Sequence, residues 1–208
     1  MMQRATMAAA IAAAALAGAL AAHFVTRETA RPALERATLF DAGRPLPEPE
    51  LVDHLGRDFG LDRLRGRWTF LFFGFTHCPD VCPLTLATLA EARRVLAGLP
   101  PGEQPAVAFV SVDPRRDTVA ALSRYVSHFD PEFTGVTGAA AAIESFTRAL
   151  GVAVVVGAPG EDGSYTVDHT AAIFLVSPAA ELTAVFGAPH EAAVIAEDYR
   201  RIVAATRD

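Results

Sequence analysis

Trp68-Thr-Phe-Leu-Phe-Phe-Gly-Phe75 decides the fold, because it leads directly into Thr76-His77-Cys78-Pro79-Asp80-Val81-Cys82-Pro83. The first part is almost wholly apolar, which fits a central strand covered on both faces. A helix is predicted to begin at or near Cys82. Pro83 suits its first turn, Leu86, Leu89, Val95 and Leu96 make its apolar face, and Gly98 ends it. A cysteine pair at the exit of a central strand, opening a helix, is the thioredoxin-like arrangement.

The surrounding chain extends this pattern. Leu51-Val52-Asp53 and the turn at Gly56 predict a short hairpin. Residues 106–113 read as a second buried strand. Asp117 or Thr118 caps a helix carrying Leu122, Tyr125, Val126 and Phe129 on one face. A further helix over 139–150 stops at Gly151. Residues 152–156 read as a strand, 171–176 and 182–186 as a hairpin turning at Ser177-Pro178, and 191–205 as a last amphipathic helix. The fold class is α/β: a mixed, thioredoxin-like sheet flanked by helices. Ligands of such sheets sit beyond the carboxyl ends of the strands. Cys78 and Asp113 both fall there.

The chain has 208 residues, 51% of them hydrophobic and 20% charged, as expected for a folded domain. Its net charge of −6 gives no electrostatic footprint for nucleic acid. All 18 basic residues are arginine, and nothing places them on one face. Residues 1–26 read as a targeting segment, with Arg4 ahead of an apolar, alanine-rich run over 7–22. We read it as an uncleaved, single-pass transmembrane anchor; the alternative is a long signal peptide with small residues around Ala19. Either way the domain is exported, which places its cysteines in an oxidising compartment. Residues 27–50 contain Pro32, Pro45, Pro47 and Pro49 and read as a linker. The folded domain is expected to start near Leu39 and to be secure by Leu51, with its body over 51–206.

Cys78 and Cys82 are the only cysteines. Cys78 lies just before the helix, where unsatisfied backbone N–H groups favour its thiolate. Cys82 is four residues on, so both sulfurs can face one side. Their spacing is wider than the Cys-x-x-Cys of thiol oxidoreductases. It suits a soft metal such as Cu(I), which accepts two or three soft ligands, but a disulfide is also feasible if Cys78 lies outside the helix. Of the six histidines, His23 lies in the N-terminal segment. His54, His128 and His190 read as structural or solvated, with His190 at the cap of the last helix. His77 adjoins Cys78, but a neighbouring side chain at a strand exit usually points away. His169 stands at a strand end after a loop containing Gly157, Gly160 and Gly163. Whether that is the end bearing Cys78 depends on strand direction, which periodicity does not settle. Asp168 is a turn residue or a partner of His169, and Asp80 is solvated.

Three strings now add a resemblance. Phe73-Gly-Phe-Thr-His-Cys78-Pro-Asp-Val-Cys82-Pro-Leu-Thr-Leu86, Phe109-Val-Ser-Val-Asp113-Pro-Arg-Arg-Asp117-Thr118 and Val167-Asp168-His169-Thr170 together resemble the Sco/SenC family of exported, thioredoxin-fold copper chaperones. The resemblance covers roughly residues 50–190. It implies that Cys78, Cys82 and His169 bind one copper, Cu(I) or Cu(II), and that Asp113 supports the site or contacts a partner. It also implies assembly of the CuA centre in cytochrome c oxidase subunit II, by delivery of copper, by reduction of the target's cysteines, or both. The expected setting is the bacterial inner membrane with the domain in the periplasm, among other periplasmic copper or thiol-redox proteins. As an enzyme, the chain's alternative is a metal-independent thiol–disulfide reductase using Cys78 and Cys82. A thiol peroxidase ranks last, because no arginine lies close in sequence to Cys78. A redox or copper sensor acting through a signalling partner is a further reading.

Overall fold

The computed structural model describes residues 14–18, 32–161 and 163–206. The chain divides into two compact units, one comprising Met1–Ala33 with Asp208 and the other Leu34–Arg207. In the first, residues 14–18 are helical. Among the described residues no helix is long and apolar enough to cross a membrane. The anchor read over 1–26 lies largely outside the described residues.

The second unit carries β1 (Ala37–Pro45), β2 (Leu51–Asp53), β3 (Asp58–Phe59), β4 (Thr69–Gly74), α1 (Val81–Leu96), β5 (Ala106–Ser111), α2 (Val119–Ser127), β6 (Thr134–Thr137), α3 (Ala140–Leu150), β7 (Val154–Val156), β8 (Val167–His169), β9 (Ile173–Val176), β10 (Glu181–Phe186) and α4 (Ala192–Ala205). Eight strands form one sheet in the order β1-β10-β9-β4-β5-β6-β2-β3, and β7 pairs β8 in a separate ribbon. β4, β5 and β6 run parallel, and every other pairing in the sheet is antiparallel. The mixed sheet flanked by helices is therefore as expected.

Why β4 sits at the centre follows from its alternation. Phe70 and Phe72 point into the layer formed with α1, α2 and α4, where Leu86, Leu89, Leu122, Tyr199 and Ile202 are buried. Leu71 and Phe73 point to the other side, against Ile143 and Phe146 of α3. All six residues of β4 are buried. With both faces covered, the strand shows the unbroken apolar run that marks it in the sequence.

Three features depart from the sequence reading. Residues 37–45, read as linker, form β1 and pair with β10. Their proline-rich flank hides an edge strand, whose largely exposed residues need no apolar alternation. β6 was not anticipated; Thr-Gly-Val-Thr is short and holds a glycine, so its pattern is weak. The run over 152–156 does not join the main sheet. Val155 and Val156 are 62% and 54% exposed in the ribbon, although their composition mimics a core strand.

β1 is held by a buried acid. Asp198 on α4 is 1% exposed. Its carboxylate accepts from the backbone N–H groups of Glu35 (2.9 and 3.1 Å), Arg36 (2.8 Å) and Ala37 (2.9 Å). The folded unit thus begins before Leu39, the boundary suggested by the sequence. At the end of α3, Gly151 adopts φ +73°, the left-handed conformation that closes a helix, as anticipated.

Candidate metal centre

β4 ends at Gly74, and the chain turns with Cys78 N donating to the Phe75 carbonyl (3.2 Å). α1 starts at Val81, so Cys78 lies outside the helix. The side chain of the N-cap residue, Asp80, makes no capping hydrogen bond. The backbone N–H of Cys82 points instead to Cys78 Sγ at 3.4 Å. A thiol thereby occupies the place of an N-cap acceptor, and the positive end of the helix faces that sulfur.

The two sulfurs lie at different depths. Cys78 is half-buried, whereas Cys82 is 0% exposed, and both are free thiols. Burial pushes the Cys82 thiol well above the ordinary thiol range; a backbone hydrogen bond with Phe75 opposes this, and the neighbouring Cys78 adds to it. Gly74 makes the depth attainable. A Cβ there would stand 2.7 Å from Cys82 Sγ and 2.7 Å from Cε2 of Phe109. Gly74→Ala is accordingly expected to cost roughly 1–3 kcal/mol through overpacking. Thermal melts of the reduced chain would check this; an unchanged midpoint would mean that the Cys82 side chain has room to move.

Strand direction, which the sequence left open, brings His169 to the cysteines. β9 runs antiparallel to β4, with Ile173 paired to Phe72, so its start lies at the carboxyl end of β4. His169 closes β8 just before it. Its Nε2 stands 3.5 Å from Cys82 Sγ, and its Nδ1 is 3.0 Å from the carbonyl of Thr170. A carbonyl only accepts, so Nδ1 carries the proton and Nε2 turns its lone pair toward the sulfur. Phe72 and Phe75 flank the imidazole edge-on, with ring centres 6.2 and 6.0 Å away. A cleft of about 330 Å³ opens over the site, lined by Phe75, Cys78, Val81, Tyr165, Asp168 and His169 among others. Among the described residues no three His, Cys, Asp or Glu side chains are already gathered as an ion cage. The arrangement is a close sulfur–imidazole pair with a second sulfur beside it.

Asp113 is not in this set. It is buried, accepting from the Tyr165 hydroxyl (2.7 Å) and from Arg116 Nε. Burial and this bond to Asp113 raise the Tyr165 pKa. Asp117, read as a helix cap, does other work. Thr118 caps α2 through its hydroxyl (3.2 Å from Ala121 N). The fully buried Asp117 accepts from Thr76 N (3.0 Å), Thr76 Oγ1 (2.6 Å) and Ser111 Oγ (2.6 Å). It staples the residues before Cys78 to the end of β5. Asp117, Arg116 and Tyr165 were all missed as site residues. The available signal was the charged string after Val112, which is unusual directly behind a buried strand.

The remaining histidines are bystanders or braces. The His77 side chain is 57% exposed at the cleft rim, 3.0 Å from Thr76 Oγ1. His54 Nδ1 accepts from Gly135 N (3.0 Å), and His128 packs against Phe129. His190 precedes Glu191, the actual N-cap of α4. Its Nε2 donates to the Ala171 carbonyl (2.8 Å), bracing the segment after His169, and burial lowers its pKa. Asp168 is exposed, and the partner of His169 is a backbone carbonyl.

Fold and site together define a thioredoxin-like domain with two thiols and one imidazole at the carboxyl end of its central strand. The SCO1/SenC family model matches residues 46–204, and the chain belongs to that family. It is 44% identical over 160 residues to the mitochondrial SCO2 homolog of Bos taurus, covering 76% of this chain and 59% of that protein. The chain thus spans about three fifths of the length of the mammalian SCO2 homologs it matches. Among solved structures, Arabidopsis thaliana ScoI with copper bound shares 34% identity at a TM-score of 0.69, covering 78% of this chain and 98% of that one. Bradyrhizobium japonicum ScoI with copper bound shares 35% at 0.66, covering 77% and 98%.

Proposed function

We propose that this protein is a membrane-tethered copper chaperone. It carries one copper ion on Cys78, Cys82 and His169 and passes it on during assembly of the CuA centre of cytochrome c oxidase subunit II. The observation that carries this reading is the 3.5 Å approach of His169 Nε2 to Cys82 Sγ. Two sulfurs and one imidazole are a donor set suited to Cu(I). The relatives solved with copper bound support the choice of metal. Membership of the SCO1/SenC family supports this choice of acceptor. The apolar run over 7–22 would tether the domain to a bacterial inner membrane, facing the periplasm. Asp113 serves the site from outside the ligand set.

Binding requires the cysteines to lose protons and Cys78 Sγ to turn from the Cys82 N–H toward the ion. Release to an acceptor is then ligand exchange through a cleft open to solvent.

The test is an anaerobic Cu(I) competition titration on the reduced full-length chain, with His169→Ala alongside. The wild type should take up one tightly held copper, and the variant should lose on the order of tenfold in affinity or more. Weak and equal binding by both would overturn the proposal and favour a metal-independent thiol–disulfide reductase acting through Cys78 and Cys82.

A further inference from the structure

We propose that Arg116 is a positioning residue for His169: its guanidinium ties the ribbon that carries the imidazole to the exit of β5. The inference rests on the reading of His169 as a copper ligand. Arg116 follows Asp113 by three residues in a tight turn, with Arg116 N donating to the Asp113 carbonyl (3.2 Å). Its Nε donates to Asp113 Oδ2. Its Nη1 donates to the backbone carbonyl of Tyr165 (3.1 Å). The guanidinium lies over the Tyr165 ring, with Cζ 3.8 Å from the ring centre. The Tyr165 hydroxyl returns to Asp113 Oδ1 at 2.7 Å.

These contacts close a triangle around one carboxylate. Tyr165 lies two residues before β8, the strand that ends in His169. Fixing both the carbonyl and the ring of Tyr165 therefore fixes the start of that strand. A second path leads from Arg116 to the imidazole through Phe75. Arg116 Cζ lies 5.6 Å from the centre of the Phe75 ring, and Phe75 stands edge-on to His169. Among the described residues the ribbon shares no strand pairing with the main sheet, so side-chain contacts hold it there.

Arginine is required by this geometry. A planar fork bonds the carboxylate and the carbonyl in two directions while lying over the ring; a lysine ammonium supplies charge but not the fork. Arg115 is the natural control. It is exposed, carries the same charge, and lies 5.8 Å from the centre of the Tyr165 ring.

The experiment compares reduced full-length wild type with Arg116→Met, Arg116→Lys, Arg115→Met, His169→Ala and the Arg116→Met/His169→Ala double variant. Two quantities are read: anaerobic Cu(I) affinity, and amide hydrogen exchange of the metal-free chain. Arg116→Met should weaken Cu(I) binding on the order of tenfold and speed exchange over residues 165–169. Exchange in β4 and β5 should stay unchanged, showing that the fold is intact. Arg116→Lys should recover only part of the affinity, and Arg115→Met should match wild type. In the His169→Ala background, Arg116→Met should cost nothing further.

An equal cost in both backgrounds would overturn the proposal, since Arg116 would then act without His169. Full recovery by lysine would overturn it too. If His169→Ala binds copper like wild type, the three-ligand reading fails on its own. Arg116 is then judged in the metal-free chain, where unchanged exchange over 165–169 removes it and locally faster exchange keeps it.

Discussion

Cys82→Ser is expected to lose copper affinity on the order of a thousandfold, about 4 kcal/mol, and to lose more than His169→Ala. In the proposed ligand set Cys82 has no substitute. It is wholly buried and lies 3.5 Å from His169 Nε2. A hydroxyl there is a hard, poor ligand for Cu(I), and the chain has no other thiol besides Cys78. The pH dependence has a definite sign. Burial holds the Cys82 thiol above its ordinary range, so at neutral pH it carries a proton that the metal must displace. Affinity should therefore rise with pH, by up to about tenfold per unit for each proton displaced. Competition titrations at several pH values read both effects. In Cys82→Ser the slope should fall by one proton; a slope equal to wild type would show that Cys82 is not the group deprotonated on binding.

The second large effect concerns stability. Asp198→Ala should destabilise the domain by about 3 kcal/mol, or roughly 10 °C in melting midpoint. The carboxylate accepts from three backbone N–H groups at the entrance of β1. Removing it leaves donors without partners in a site that is closed to water on the Asp198 side. Asp198→Asn keeps one acceptor oxygen and should fall between the two. Cutting the chain at Leu39 should cost a similar amount, because it deletes the three donors and leaves a buried carboxylate without them. Thermal melts with amide exchange in β1 would check this. An unchanged midpoint in Asp198→Ala would mean that water reaches the freed N–H groups without loss.

What the sequence revealed of this molecule follows physical lines. β4 was legible because it is buried on both faces and so is apolar at nearly every position. The helix after Cys82 was legible from its stripe of leucines. β1 and β6 were not, since an edge strand and a four-residue strand containing glycine carry little periodicity. The cysteines announced themselves by rarity. His169 was visible as a residue but not as a neighbour, because its position depends on β9 running against β4, a pairing made across 100 residues. Arg116, Asp117 and Tyr165 were missed for a related reason. Each acts through partners distant in sequence, and a charged residue that will be buried looks the same in a string as one that will be solvated.

On the proposed chaperone role, the unequal depth of the two sulfurs would give traffic through this site a fixed sequence of arrivals and departures. Cys78 stands at the cleft and Cys82 beneath it. Any incoming thiol meets the upper sulfur first, and the lower one is reached only after that exchange has begun. On the proposed ligand set, the handover would be ordered from outside inward, with the deepest bond the last to be surrendered.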